Sequence, residues 1–211
     1  MKVLTVIADI VGSRTITDRR TFQQKLESKL NSINSASRSI LSPYTITLGD
    51  EFQAVYTNPG TLFADIYQIL KEFYPIKFRF SVGSGIIATK INKKKSIGMD
   101  GPAFYNARNG LSQMKSETIT SIQFFPENMP DAALINQSLL ILNCSMSKWK
   151  LHTFIIFSEL LQYRSINEIA NIASVSTRAV YKIQKTNYLK EYLGLLELIQ
   201  VAIESELKEE K

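Results

Sequence analysis

One cysteine and one histidine in 211 residues leave the chain without the side chains from which most internal staples and metal centres are made. Cys144 alone forms no internal disulfide, and His152 beside a single thiol makes no zinc site of the usual Cys/His kind. Any metal must therefore be held by oxygen, and any catalysis must run on carboxylates. Long apolar runs are missing as well. The nearest, residues 132–142 and 153–161, are short and broken by polar side chains, so neither reads as a membrane-crossing helix. The apolar N-terminal run carries Lys2 and closes on Asp9, a poor secretory signal and a good buried strand. Internal repeats and low-complexity tracts are also absent. These absences predict a cytoplasmic chain with no membrane partner.

What is present is an ordinary globular balance, 45% hydrophobic and 21% charged residues, with a formal charge of +6. That basicity suits phosphate-bearing partners, nucleotide or nucleic acid, without choosing between them. Residues 3–8 are apolar and β-branched, the composition of a doubly buried strand. Phe22, Leu26, Leu30 and Ile33 recur at helical spacing and predict a helix over 18–41, stopped by Ser42-Pro43. Residues 44–48 and 52–56 then read as a hairpin turning at Gly49-Asp50. Asn58-Pro59 reads as the start of the next helix, which runs to about Phe73. Strands over 77–85 and 121–125 bracket a helix that begins near Pro102.

The order strand, helix, hairpin, helix, strand is the split βαβ, ferredoxin-like plan, and the fold class expected is α+β. Residues 126–130, with two prolines, mark a boundary, beyond which only helical periodicity appears: 132–143, 148–163, 166–173, 177–187 and 189–207. Two domains are expected, residues 1–127 and 128–211.

In the split βαβ plan the end of the first strand and the hairpin turn share one sheet edge, so Asp9 should meet Asp50, next to which Glu51 stands in the same turn. Converging carboxylates repel unless a cation neutralises them. Mg²⁺ suits such a site, because it takes few protein carboxylates and completes its shell with water and phosphate oxygens. Gly12-Ser13, directly after this strand, offers backbone N–H groups to phosphates. Lys93–Lys95 could clamp phosphates or nucleic acid but read more simply as a solvated loop, and the strand cations Lys77 and Arg79 could equally be surface charges.

Ala8-Asp9-Ile10-Val11-Gly12-Ser13-Arg14 resembles the first metal-binding segment of class III nucleotidyl cyclases. Leu48-Gly49-Asp50-Glu51-Phe52 resembles their second, and equally the GGDEF signature of diguanylate cyclases. Ser81-Val82-Gly83-Ser84-Gly85 is similar to a later cyclase strand and glycine turn, and Ala107-Arg108 to the catalytic helix. Together with the stretch Gly101-Pro102-Ala103-Phe104-Tyr105-Asn106-Ala107-Arg108 and the helical C-terminal end, these segments make the chain most similar to the SatD family. The resemblance implies that Asp9, Asp50, Glu51 and the Ile10 carbonyl hold Mg²⁺. It makes Gly12, Ser13 and Arg108 phosphate contacts, with Arg108 the catalytic candidate. Two positions depart from the cyclases: Ile46 stands where they carry a purine-selecting lysine, and Phe104 where they carry an asparagine. Nucleotide binding is therefore expected, without cyclisation.

In the helical end, Ser165 with Glu168 forms a capping box. Ser174-Val175-Ser176 is a turn whose Ser176 caps the next helix. The two helices resemble a bacterial helix-turn-helix. Its second helix carries Thr177, Arg178, Tyr181, Lys182 and Lys185 on one face, and no acid occurs from Thr177 to Lys190. Such a face suits DNA, with arginine reading base edges and lysines meeting phosphates. Tyr192, Leu193, Leu196, Ile199, Ile203 and Leu207 form an apolar stripe that either packs on this domain or pairs two copies in a homodimer. Three readings stay open: a DNA-binding regulator with a nucleotide-binding domain, an active cyclase or related phosphoryl-transfer enzyme, and a scaffold without either activity.

Overall fold

The computed structural model describes residues 1–116 and 121–208, an α+β chain with a five-stranded mixed sheet and eight α-helices among those residues. Strand β1 (Lys2–Ile10) is buried on both faces, as its composition predicts. Leu4, Val6, Ala8 and Ile10 enter the main core, whereas Val3 and Ile7 join smaller clusters on the opposite face. Helix α1 (Arg19–Ala36) starts where Asp18 accepts the Thr21 N–H at 3.0 Å.

It stops at Ala36 rather than near residue 41, because Ile40 and Leu41 belong to β2 (Ile40–Leu48). Ile40 pairs with Tyr56 of β3 (Glu51–Tyr56), and the Ser39 carbonyl accepts the Thr57 N–H at 2.8 Å. Pro43 therefore lies inside a strand. It is tolerated there because β2 is the sheet edge and its register shifts between Ser42 and Thr45.

Helix α2 (Leu62–Glu72) begins after Thr61, three residues beyond the expected Asn58 cap. The Asn58 side chain instead accepts the Gly60 N–H at 2.9 Å and the Ser39 hydroxyl at 2.8 Å. Next come β4 (Phe78–Ile86), α3 (Pro102–Met114) and β5 (Ile122–Phe125). The sheet order is β2-β3-β1-β4-β5; every pair is antiparallel except β4–β5.

Five helices complete the chain: α4 (Ala132–Met146), α5 (Leu151–Leu160), α6 (Ile166–Ile172), α7 (Thr177–Thr186) and α8 (Leu189–Lys208). The first of them closes the sheet edge: Asn136 on α4 accepts the Phe124 N–H at 2.8 Å and donates to the Phe124 carbonyl at 2.7 Å. A side-chain amide thus substitutes for a further strand at an otherwise unpaired edge. Helix α5 begins at Leu151, not 148, because Lys148 and Trp149 close turns onto Ser145 and Met146. That break drives the Trp149 indole against Phe154 and Phe157, with ring centroids 5.4 and 5.1 Å apart.

Buried residues on both sides of position 127 belong to one cluster, from Phe52 and Phe80 through Ile66 and Tyr67 to Leu139, Phe157 and Leu196. The α8 stripe is used inside the chain: Leu196, Ile199 and Ile203 are buried, and Tyr192, Leu193 and Leu207 pack against the same core. An ionic junction joins α2 to α5. Glu159, buried on α5, accepts Lys71 Nζ at 2.7 Å and Gln68 Nε2 at 3.3 Å and forms an ion pair with Arg164 Nε at 2.7 Å.

Burial pushes the Glu159 carboxyl up, but its Lys71, Gln68 and Arg164 partners outweigh burial and hold it below the ordinary carboxylate value. A depressed folded-state pKa means the associated stability is complete above the unfolded value and is lost as pH falls through the folded one. Glu159→Gln should cost about 2–4 kcal/mol near neutral pH and flatten the acid limb of a stability–pH profile measured by urea denaturation.

Candidate functional site

Antiparallel register places Asp9 opposite Glu51 on one side and opposite Arg79 on the other. Side chains directly opposite across neighbouring strands share a face, so β3, β1 and β4 present an acid–acid–base row. Ile7, two residues before Asp9, packs on Ala107 and Leu111, so this row lies on the side of the sheet that α3 covers. Arg79 Nη1 reaches both Asp9 oxygens at 3.3 Å. Lys115, one turn beyond Leu111, lies 3.5 Å from Asp9 Oδ2. Arg108 Nη1 meets Glu51 Oε1 at 2.5 Å, and the Thr47 hydroxyl donates to the Glu51 carbonyl at 3.3 Å.

Asp9 and Glu51 are buried, whereas Arg108 and Lys115 are half exposed. Two facing carboxylates are thus compensated by three cations, two of them placed at the rim where they can take up a further anion.

Asp50 belongs to the other side of the same sheet end. Its carboxylate accepts the Ser13 hydroxyl at 2.6 Å, and its carbonyl accepts the Ile10 N–H at 3.2 Å. Gly12 takes a left-handed conformation (φ 68°) to open the single 3-10 turn Ser13–Thr15. Gly12, Ser13 and Asp50 therefore form one hydrogen-bonded corner, and Asp9, Glu51 and Arg108 form the neighbouring ionic row. Asp9 faces Glu51 across the ladder, rather than Asp50.

Arg79 and Lys115 belong to this site, whereas sequence reading left Arg79 open between a site role and surface charge and did not single out Lys115. The signal for Arg79 was its strand alternation with Phe78 and Phe80, and for Lys115 its place four residues beyond Leu111. Asp9, Asp50, Glu51 and the Ile10 carbonyl offer only oxygen atoms, the donor type that hard cations take. Among the described residues, however, no three Asp, Glu, His or Cys side chains gather into a metal-binding group.

The ion pairing predicts a clear mutational pattern. Arg79→Met should destabilise by about 2–4 kcal/mol, because it strands Asp9 beside Glu51. Arg79→Met combined with Asp9→Asn should recover much of that loss in a double-mutant denaturation cycle.

The second candidate region is the α6–α7 pair. Ser165 Oγ accepts the Glu168 N–H at 3.4 Å, while Glu168 Oε2 accepts the Ser165 N–H at 2.9 Å and its hydroxyl at 2.7 Å. These side-chain and backbone hydrogen bonds from Ser165 hold the Glu168 carboxyl below its ordinary value. Ser174 takes the left-handed turn position (φ 53°), Val175 N–H donates to the Ala170 carbonyl, and Ser176 caps α7 through the Ala179 N–H at 3.1 Å. Val180 is buried and Ile183 half-buried, which turns Thr177, Arg178, Tyr181, Lys182 and Lys185 outward. Among the described residues none of Arg178, Lys182 or Lys185 has an ion-pair partner.

No helix among the described residues is long and apolar enough to cross a membrane. A comparison with curated proteins finds no match. The model of the SatD family matches residues 3–197, a span that takes in both the ionic row and the α6–α7 pair, and the chain belongs to that family.

Proposed function

We propose that this chain is a cytoplasmic DNA-binding transcriptional regulator whose N-terminal part binds a nucleotide with Mg²⁺. In this reading α6 and α7 form a helix-turn-helix, and α7 is the helix that enters the major groove. The observation that carries it is the solvent face of α7: Arg178, Lys182 and Lys185 are exposed without ion-pair partners among the described residues, flanked by Thr177 and Tyr181. The neighbouring Arg164, by contrast, is tied to Glu159. Unpaired cations on one short helix keep their full charge for phosphates, and Arg178 near the helix start can donate twice to a guanine edge.

A ferredoxin-like, cyclase-like reading of the first half rests on β1-α1-β2 and β3-α2-β4 sharing one sheet in the order β2-β3-β1-β4. Asp9, Asp50, Glu51 and the Ile10 carbonyl would hold Mg²⁺, which supplies charge neutralisation for the phosphates. Gly12, Ser13 and Arg108 would contact the phosphates themselves, with Arg108 and Lys115 turning from the carboxylates onto the anion.

Binding without cyclisation is favoured by Phe104, which is buried in an apolar cluster with Val3, Val55 and Ala103 and offers no polar group to a sugar. A homodimer would supply two reading helices. Its contact would use exposed apolar residues such as Leu198 and Val201, since the long α8 stripe is already covered.

Fluorescence anisotropy with random-sequence duplex should show binding that weakens steeply with salt. Arg178→Ala should lower affinity about tenfold, and Lys185→Ala should reduce the salt slope by about 1. Salt-independent or absent retention by the wild type would reject the DNA reading. Calorimetric titration of ATP and GTP should give heat only with Mg²⁺, and Asp50→Ala should abolish it while leaving DNA retention in place. Equal nucleotide affinity in the Asp50→Ala protein would reject the metal reading alone.

A further inference from the structure

The long connection between β4 and α3, residues 87–101, carries Lys93, Lys94 and Lys95 in succession, with Lys90 just before them. All of these lysines are exposed, and among the described residues none has an ion-pair partner. The one acid of the connection, Asp100, is engaged elsewhere, where it accepts the Tyr105 hydroxyl at 2.7 Å.

Like charges on a free loop drift apart, but this loop is pinned on both sides of the three lysines. Asn92 Oδ1 accepts the Lys94 N–H at 3.0 Å and the Lys95 N–H at 3.1 Å, which folds the backbone into a tight turn. The Asn92 carbonyl accepts the Ser42 hydroxyl at 2.5 Å. Ser96 is fully buried. It donates its N–H to Thr45 Oγ1 at 3.0 Å and its hydroxyl to Ser42 Oγ at 2.8 Å, and its carbonyl accepts Gln53 Nε2. Both anchors rest on β2 and β3, so the backbone of the lysine turn is held against the sheet. Its charges cannot separate by moving that backbone, and a polyanion laid across them relieves their repulsion.

Beside the turn lies a groove of about 540 Å³ between α1 and the edge strand β2. Lys94 and Lys95 line it together with Asn31, Ser35 and Thr45, and its one acid is Glu27. Its one aromatic side chain, Tyr44, is 4% exposed and offers no face on which an unstacked base could lie. Lysine ammonium groups act as point charges that suit phosphate oxygens, and a duplex backbone presents such charges closely spaced along its axis. We infer that residues 90–95 form a second nucleic-acid surface, one that holds the phosphate backbone of duplex DNA without reading its sequence. This surface is separate from the α7 face, and the inference stands whether or not α7 enters a major groove.

The test follows the anisotropy of a labelled random-sequence DNA duplex with the full chain across a salt series. Lys93→Gln, Lys94→Gln and Lys95→Gln made together keep the side-chain length and both anchors while removing the charge. This loop variant should bind about tenfold more weakly at low salt, and the slope of log Kd against log salt should fall by about 2 to 3. A protein carrying Arg178→Ala, Lys182→Ala and Lys185→Ala should keep salt-dependent binding that the added loop substitutions remove. Asn92→Ala retains every charge but releases the turn, and should weaken binding several-fold, with circular dichroism as the check on folding.

An unchanged salt slope in the loop variant would overturn the inference, and so would complete loss of binding in the α7 variant alone. Equal affinity of the Asn92→Ala protein and the wild type would reduce the lysines to unplaced net charge and decide against it too. Displacement of the duplex by polyglutamate as readily as by unlabelled DNA would assign the turn to an acidic protein partner instead. The two surfaces fail separately: an α7 variant that binds like the wild type, beside an impaired loop variant, would reject the α7 reading and keep this one.

Discussion

A side chain at Gly83 would collide with the backbone of Ala103 and Ala107, and one at Gly110 would collide with Phe125 and Ser81. The approach of α3 to β4 is therefore possible only because both surfaces are bare at the contact. Much of the polar chemistry on that face depends on this closeness. It carries Arg108 to Glu51 and Lys115 to Asp9, and it lets a single helix seal a face containing Thr5, Asp9, Glu51, Gln53 and Ser81. A wider gap would admit water and leave the acid pair without its α3 cations.

The two faces of the sheet do different work. Phe52, Phe78, Phe80 and Val82 form an aromatic and aliphatic floor on which α2 and the C-terminal helices pack, and this face supplies most of the buried apolar area. The α3 face is smaller and more polar, and its order comes from hydrogen bonds and ion pairs. Ser42, Ser96 and Gln53 tie the loop before α3 to the sheet: Ser42 donates to the Asn92 carbonyl, Ser96 to Ser42 Oγ at 2.8 Å, and Gln53 to the Ser96 carbonyl. Such bonds are directional and hold side chains in place where apolar contact would let them slide. Buried charge on this face is consistent with a site and costly as mere scaffold.

Arg79 is where these regions adjoin. Its guanidinium neutralises Asp9, and the residue also borders a cavity beneath α4 and α5. The C-terminal helices share the main core with the strands, and Lys2 on β1 meets Glu206 on α8 at 3.2 Å. The strands and the helical half are thus joined by a shared apolar core and by an ion pair between the first strand and the last helix.

Features governed by neighbours in sequence were legible without coordinates. The β1 composition, the Ser165–Glu168 capping box, the Ser176 cap and the outward face of α7 each depend on periods of two or 3.6 residues, or on contacts three residues apart. Local rules failed where a distant partner outbid them. Helix α1 gave up Ile40 and Leu41 because Tyr56 and Thr57 pair there, and Asn58 capped a turn instead of a helix because Ser39 and Gly60 claimed its oxygen.

The order of residues alone sets the acids, the cations, the alternation that buries β1 and the basic composition of α7. Tertiary structure decided which acid faces which: Asp9 opposes Glu51 and Arg79, while Asp50 turns to Ser13, because register is set by sheet-wide packing rather than by adjacent residues. It also made Lys115 and Arg79 members of the site, since each of these follows from surfaces brought together across the whole chain.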